Sequence, residues 1–252
     1  YVRVTATNGC MLSANDVTVV NIDKSAPGIS LRYPGASGAI LGGSICFEGD
    51  VAGLRRRDGD TERVVRVRAT LDSSGLEPAD LVIVLVKSFH TRSAIDGAKG
   101  IVGPGTAVMS LQNGMGHEEI LSEVVGREHV LAGKTYVGGV LLGPGHIIAG
   151  TRGKRTAIGE LDGAISVRAN AIAAEFERAG LPCEVSGNIM GVMWDKLLIN
   201  VSTGALSAIT GQVYGSLYAV PEIEATAIAA VAEAMAAAKA GGVSLSVKQP
   251  RE

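Results

Sequence analysis

An uninterrupted apolar run, residues 81–86 (LVIVLV), constrains the fold more than any other segment of this chain. Asp80 precedes the run, and Lys87 and Ser88 follow it. A β-branched run of this length, without polar alternation, is typical of a strand that is buried on both faces in a parallel sheet covered by helices. The run therefore predicts an α/β domain.

A second strand of the same kind is predicted at residues 106–112 (TAVMSLQ), and a helix follows it at residues 117–125. Strands that alternate with helices are typical of a doubly wound, Rossmann-like sheet. Lys87 and Asn113 each follow a predicted buried strand. Ligands in this fold bind beyond the carboxyl ends of the strands, so we expect both side chains at one ligand-binding rim.

The pattern becomes purely helical from about residue 188. The longest predicted helix, residues 221–240, begins at a proline and ends at Gly241-Gly242, which are common start and stop signals. We therefore predict two domains: a dinucleotide-binding domain at 1–187, and an all-α domain at 188–252.

Lys196 and Asn200 are four residues apart in the first helix of the second predicted domain, so they share one helix face. An ammonium beside an amide can hold a carbonyl oxygen and a carboxylate, because lysine donates and asparagine both donates and accepts. A solvated lysine on a helix surface is the alternative interpretation of this spacing.

Composition excludes several classes of protein. The net charge is −2 over 252 residues, so the chain lacks the excess of positive charge that is typical of proteins that bind nucleic acid or anionic membranes. No apolar run is long enough to span a bilayer. Three scattered cysteines indicate a reducing compartment, so we expect a cytoplasmic protein. The four histidines have no metal-ligand spacing; we expect them at the surface and predict no metal site. They are His90, His117, His129 and His146.

Five segments, in this order, resemble the ketopantoate reductase (2-dehydropantoate 2-reductase) family. They are DLVIVLVKS at 80–88, SLQNGMG at 110–116, a Pro-Gly turn at 144–145 followed by IGE at 158–160, AGLPCEV at 179–185, and WDKLLIN at 194–200. The series covers residues 63–242 approximately, and its order makes it far more specific than any one segment.

The resemblance implies a Rossmann-like domain followed by a helical domain like the C-terminal domain of 6-phosphogluconate dehydrogenase. It also implies NADPH-dependent reduction of a 2-keto acid to a 2-hydroxy acid in pantothenate biosynthesis, by a homodimer. By position, Lys87 and Asn113 would bind the cofactor, Lys196 would be the catalytic residue at the keto oxygen, and Asn200 would bind the substrate.

Two departures from the family pattern leave the function open. Gly204 stands where the family has a second asparagine, and the family's later serine and acidic residue are absent, so the helical domain is expected to be truncated. The alternatives are an NADH-dependent D-2-hydroxyacid dehydrogenase and a non-catalytic nucleotide-binding relative.

The phosphate-binding loop has two interpretations. In the first, residues 1–7 form the first strand of the sheet, residues 10–14 form a short helix, and the loop is reduced to Asn8-Gly9. Residues 17–22 are then the second strand, Asp23 and Lys24 lie at the adenosine ribose, and Gly9, Asp23 and Lys24 bind the cofactor.

In the second interpretation, residues 29–33 form the first strand and the following glycines form the loop. Residues 51–54 are then the second strand, with Arg55 and Arg56 on a 2′-phosphate. Without that role, residues 55–60 (RRRDGD) are predicted to form a charged turn.

Overall fold

The computed structural model describes residues 6–7, 11–12, 52–67, 73, 75–143 and 146–250. The chain divides into two compact units, Tyr1–Gly187 and Asn188–Glu252. A search of the helices in those ranges finds none with the length and apolar character of a membrane span.

The first unit is an α/β structure. Its strands are β1 (Ala6–Thr7), β2 (Met11–Leu12), β3 (Ala52–Asp58), β4 (Thr61–Val67), β5 (Leu81–Val84), β6 (Ala107–Ser110), β7 (Val130–Thr135), β8 (Gly138–Gly143), β9 (His146–Gly150), β10 (Thr156–Glu160) and β11 (Cys183–Val185). Its helices are α1 (Thr91–Ala98), α2 (His117–Val125) and α3 (Val167–Arg178).

The main sheet has five strands in the order β11-β10-β7-β6-β5. Strands β5, β6 and β7 are parallel, with Val84 beside Ser110 and Ser110 beside Ala132. Strand β10 runs antiparallel to β7, and β11 runs parallel to β10. The predicted Rossmann-like sheet is confirmed, with a mixed rather than wholly parallel order.

Both faces of this sheet are buried, as the apolar run 81–86 predicts. Val82 and Val84 belong to one core cluster, which also contains residues of α1 and α2. Leu81 and Ile83 belong to a second cluster with residues of α3. Since successive strand residues point to opposite faces, a continuous apolar strand is what a sheet between two helical layers requires.

A second sheet has four strands in the order β4-β3-β9-β8. The prediction of a turn at residues 55–60 is wrong for the arginines, which lie in β3. The chain instead reverses direction at Gly59, between β3 and β4. Its φ of +61° is a conformation that glycine adopts readily because it has no Cβ. The interpretation that places Arg55 and Arg56 after a parallel second strand is also wrong, because β3 pairs antiparallel with β4 and parallel with β9, outside the main sheet.

The expected first strand does not join the main sheet within the described residues. Ala6–Thr7 pairs antiparallel with Met11–Leu12 in a two-stranded sheet, so the short helix expected at residues 10–14 is also wrong at Met11 and Leu12. The sequence between the two strands contains Asn8-Gly9, a dipeptide that favours a hairpin over a helix.

The second unit is helical, as expected. It contains α4 (Ile189–Thr210), α5 (Tyr214–Leu217) and α6 (Pro221–Ala240). Asn188 caps α4, because its side chain accepts a hydrogen bond from the Gly191 amide at 3.3 Å.

Candidate active site

Two predicted cofactor residues lie at one rim of the main sheet. Val84 and Ser110 are paired in the parallel strands β5 and β6, and Lys87 and Asn113 each come three residues later. Both residues are exposed. The strand register therefore brings Lys87 and Asn113 to the same edge, the position at which doubly wound sheets bind ligands.

A glycine turn leads from this rim into α2. Gly114 and Gly116 have φ angles of +100° and +89°, which residues with a Cβ rarely adopt. Gly116 caps α2 without a side-chain hydrogen bond. The first backbone amides of the helix therefore have no capping side chain, and together with an ammonium and an amide they form a donor set that suits a nicotinamide dinucleotide.

A buried polar network fixes the segments that carry Lys87 and Asn113. The Gln112 amide group donates to the Val86 carbonyl, and its oxygen accepts from the Ser110 hydroxyl at 2.9 Å. The Thr91 hydroxyl donates to the Ser88 carbonyl at 2.8 Å and lies 3.1 Å from the Gln112 amide nitrogen. The segment after β5 is thus tied directly to the segment after β6.

His117 completes this network, and the prediction that it lies at the surface is wrong. The residue is only 3% exposed. Its Nε2 donates to the Asn113 carbonyl at 3.0 Å, and its Nδ1 lies 3.4 Å from the Thr91 hydroxyl. Because a carbonyl oxygen can only accept, Nε2 carries the proton in this geometry. Through this hydrogen bond the ring holds the backbone of Asn113 in place.

Sequence reasoning missed this network, although a signal was present. Ser110 and Gln112 alternate with the core residues Met109 and Leu111 at the end of β6. Polar residues at alternate positions of an otherwise apolar strand point to one face and require partners there.

The second unit places Lys196 and Asn200 one turn apart on α4, as predicted. Both residues are partly buried. Burial lowers the pKa of the Lys196 ammonium from its ordinary value, because removal from water disfavours the charged form. A lysine with a lowered pKa gives up its proton more readily than an ordinary surface lysine.

Asp195, the neighbour of Lys196, has a structural role. Its carboxylate accepts hydrogen bonds from the Ser246 amide at 3.1 Å and the Ser246 hydroxyl at 2.7 Å. The Asn188 amide group likewise donates to the Ser244 carbonyl at 2.8 Å. These contacts join the segment after α6 to the first half of α4. The Asp195 carboxylate is therefore occupied by hydrogen bonds within the second unit.

Gly204 lies one turn beyond Asn200 and is partly buried. A Cβ at this position would meet nothing within 4 Å. The space that an asparagine side chain would need is therefore open within this unit.

Three predicted cofactor residues, Gly9, Asp23 and Lys24, lie outside the described residues. No group of three or more potential metal ligands occurs in the part of the chain that the structure describes. Glu160, the last residue of β10, accepts hydrogen bonds from Ser166 and Arg168 at the start of α3.

Comparison with known proteins places both units in the same family. Residues 50–163 match the family model described as "Ketopantoate reductase PanE/ApbA", and residues 188–252 match "Ketopantoate reductase PanE/ApbA C terminal". A 2-dehydropantoate 2-reductase of Halobacterium salinarum is 34% identical over 237 residues, which cover 86% of this chain and 77% of the relative.

Solved structures agree with these matches. A PanE/ApbA family ketopantoate reductase from Ralstonia eutropha JMP134 has a TM-score of 0.69 at 35% identity, over 78% of this chain and 63% of that one. D-mandelate dehydrogenase, in a ternary structure with NADH and anilino(oxo)acetate, has a TM-score of 0.69 at 22% identity, over 77% of this chain and 62% of that one. The second likeness concerns the fold alone.

Proposed function

Because this chain belongs to the ketopantoate reductase family, a family of oxidoreductases, we propose that it reduces a 2-keto acid to a 2-hydroxy acid with NADPH. The proposal rests chiefly on Lys196 and Asn200, which lie one turn apart on α4 with the pKa of Lys196 lowered by burial. Lys87, Asn113 and the first amides of α2 support it as the groups that would hold the cofactor.

The bound nicotinamide would supply the hydride. Lys196 would stabilise the negative charge that develops on the keto oxygen, because a fixed ammonium is strongest where charge appears in the transition state. Lys196 would then donate a proton to that oxygen, for which its lowered pKa is suited. Asn200 would orient the substrate through its amide group.

The direct test is cofactor oxidation. We expect the protein, incubated with NADPH and a panel of branched 2-keto acids, to consume NADPH with at least one acid, followed by loss of nicotinamide absorbance. Flat traces with every acid, from protein that melts cooperatively, would contradict the proposal. Binding of NADPH without turnover would favour the non-catalytic alternative.

The second candidate is NADH-dependent reduction of a different 2-keto acid, and Gly204 favours it. The family's second asparagine is missing there, so one expected contact with ketopantoate is missing too. Measuring kcat/KM for NADH and for NADPH with the same 2-keto acid separates the two candidates, because the preferred cofactor gives the higher value.

Replacement of Gly204 tests the substrate assignment. We expect Gly204→Asn to lower the KM for ketopantoate by about tenfold, because one added hydrogen bond contributes about 1–1.5 kcal/mol. The variant should fold normally, since a Cβ at this position meets no neighbour within 4 Å. Steady-state kinetics across the acid panel provides the measurement.

Gly204→Ala is the matched control, because it adds the same Cβ without an amide. We expect its KM to equal that of the parent. An equal change in both variants would mean that the effect comes from the helix backbone and not from a substrate contact.

A further inference from the structure

Two arginines face each other on the four-stranded sheet. Arg56 on β3 lies directly opposite Arg63 on β4 in the register of the hairpin. Directly opposed residues of an antiparallel pair point to the same face. Both arginines line one surface cavity of about 260 Å³, so the register and the cavity agree on where their side chains converge.

A third arginine reaches the same cavity from a different part of the chain. Arg152, just after β9, lines it together with Asp58 and Thr61. Asp58 is the one acidic residue of the lining, and its carboxylate lies 3.5 Å from Arg56 and 3.8 Å from Arg152. Three guanidinium groups against one carboxylate leave a formal charge of +2 in the cavity.

Two other acidic side chains, Asp60 and Glu62, belong to this hairpin, and neither lines the cavity. Glu62 is paired with Arg57 across the strands, on the opposite face from Arg56. Its carboxylate contacts the His146 ring at 3.0 Å. The positive charge is therefore concentrated on the face that carries the cavity.

Like charges placed directly opposite each other destabilise a β-hairpin. An anion bound between Arg56 and Arg63 would therefore reduce the repulsion between their guanidinium groups. Guanidinium groups suit tetrahedral oxyanions, because their N–H groups form a planar fork. The cavity has room for several water molecules, at about 30 Å³ each, and hence for a small anion.

We propose that this cavity, the arginine pocket, binds a phosphate-type dianion. The pocket belongs to the four-stranded sheet, whereas Lys87 and Asn113 belong to the rim of the main sheet. It is a binding site separate from the one assigned to the cofactor, and its occupant is inorganic phosphate or the phosphate group of a small phosphomonoester.

Calorimetric titration of the whole chain with inorganic phosphate at pH 7.5 tests the proposal, and glycerol 3-phosphate and acetate are titrated at the same ionic strength. We expect saturable binding of one dianion and no binding of acetate. Arg63→Gln should weaken phosphate binding by about tenfold, because it removes a charged hydrogen-bond donor. Tighter binding of glycerol 3-phosphate than of phosphate would identify the phosphomonoester as the occupant.

Arg57→Gln is the control, since it removes an arginine from the adjacent position on the opposite face. Its phosphate affinity should equal that of the parent. No saturable phosphate binding, or equal weakening in both variants, would overturn the proposal.

Cofactor binding provides the remaining arm of the test. The dissociation constant of NADPH should be unchanged in Arg63→Gln and insensitive to added phosphate. Competition between phosphate and NADPH would also overturn the proposal, because the pocket would then belong to the cofactor site. Since phosphate binding is measured without turnover, it can succeed or fail independently of the reductase activity.

Discussion

Replacing Lys196 with alanine is expected to lower kcat for 2-keto acid reduction by roughly 10²–10³-fold, the usual effect of removing one group that stabilises a developing oxyanion. The loss arises because no ammonium remains to stabilise charge on the keto oxygen or to return a proton. The affinity for NADPH, measured by fluorescence titration, should be unchanged. The predicted result is thus a loss in the chemical step with the cofactor still bound.

Two variants make this prediction specific. Lys239→Ala removes an exposed lysine from the last turn of α6 and should leave kcat unchanged. Lys196→Arg keeps a positive charge that cannot titrate in the accessible range, so we expect partial recovery of kcat. A Lys196→Ala enzyme with the kcat of the parent would remove Lys196 from the mechanism.

The pH dependence offers an independent readout for the same residue. Lys196 must be protonated to act, so kcat/KM should fall as pH rises through its pKa. Burial lowers this pKa, and the fall should therefore begin at a lower pH than an ordinary lysine would allow. In Lys196→Arg this alkaline fall should disappear.

The elements best predicted from sequence are those whose local pattern and tertiary setting agree. Residues 81–84 of the apolar run form β5 and are buried on both faces, although Leu85 beyond the strand is exposed, and the helix at 117–125 has the predicted bounds. Helix α6 of the second unit begins and ends at its predicted start and stop signals. In each case the local sequence pattern was sufficient for the prediction, because the packing of the folded chain favours the same secondary structure.

The features that sequence missed depend on pairings between distant segments. The arginines 55–57 look like a turn locally, but they lie in a strand that pairs with β4 on one side and with β9, about ninety residues later, on the other. His117 looks like a surface residue at a helix start, yet Thr91 and Asn113 surround its ring. Strand register and side-chain burial of this kind are set by tertiary contacts that local periodicity does not contain.

Glu118 is the second residue for which we expect a large effect, and here the readout is stability. It lies in the first turn of α2 and is only 2% exposed. Its carboxyl oxygens have no hydrogen-bond partner among the described residues apart from the backbone amide of Glu118 itself, which only partly opposes the effect of burial. Burial raises the pKa of Glu118 to about 7, and the negative charge of Glu119 adds to the rise. The carboxyl is therefore tolerated mainly in its neutral form.

This shift makes the folded state lose stability as pH rises. Below about pH 4.5 the carboxyl is protonated in both the folded and unfolded states and contributes no pH dependence. Between pH 4.5 and 7 the folded state binds more protons than the unfolded state, so the free energy of unfolding falls with increasing pH. Above pH 7 the full cost, about 3 kcal/mol, is present.

Glu118→Gln replaces the carboxyl with a neutral group of the same shape and should remove this dependence. We expect the variant to match the parent near pH 4.5 and to be more stable by about 3 kcal/mol at pH 8. That difference corresponds to a rise in melting temperature of roughly 6–12 °C for a chain of this size. Thermal unfolding across this pH range, followed by circular dichroism, is the measurement.

Glu119→Gln is the matched control, because Glu119 occupies the same helical turn but is exposed. Both substitutions remove one carboxyl group from the start of α2, where a negative charge interacts favourably with the helix dipole. Because the charge of Glu119 makes a minor contribution to the raised pKa of Glu118, Glu119→Gln should show only a small part of the gain in stability with rising pH, and Glu118→Gln the larger part. A stability difference between Glu118→Gln and the parent that is constant from pH 5 to pH 8 would mean that the Glu118 carboxylate is solvated in the folded protein, and that the polar face of α2 opens toward water instead of toward the sheet.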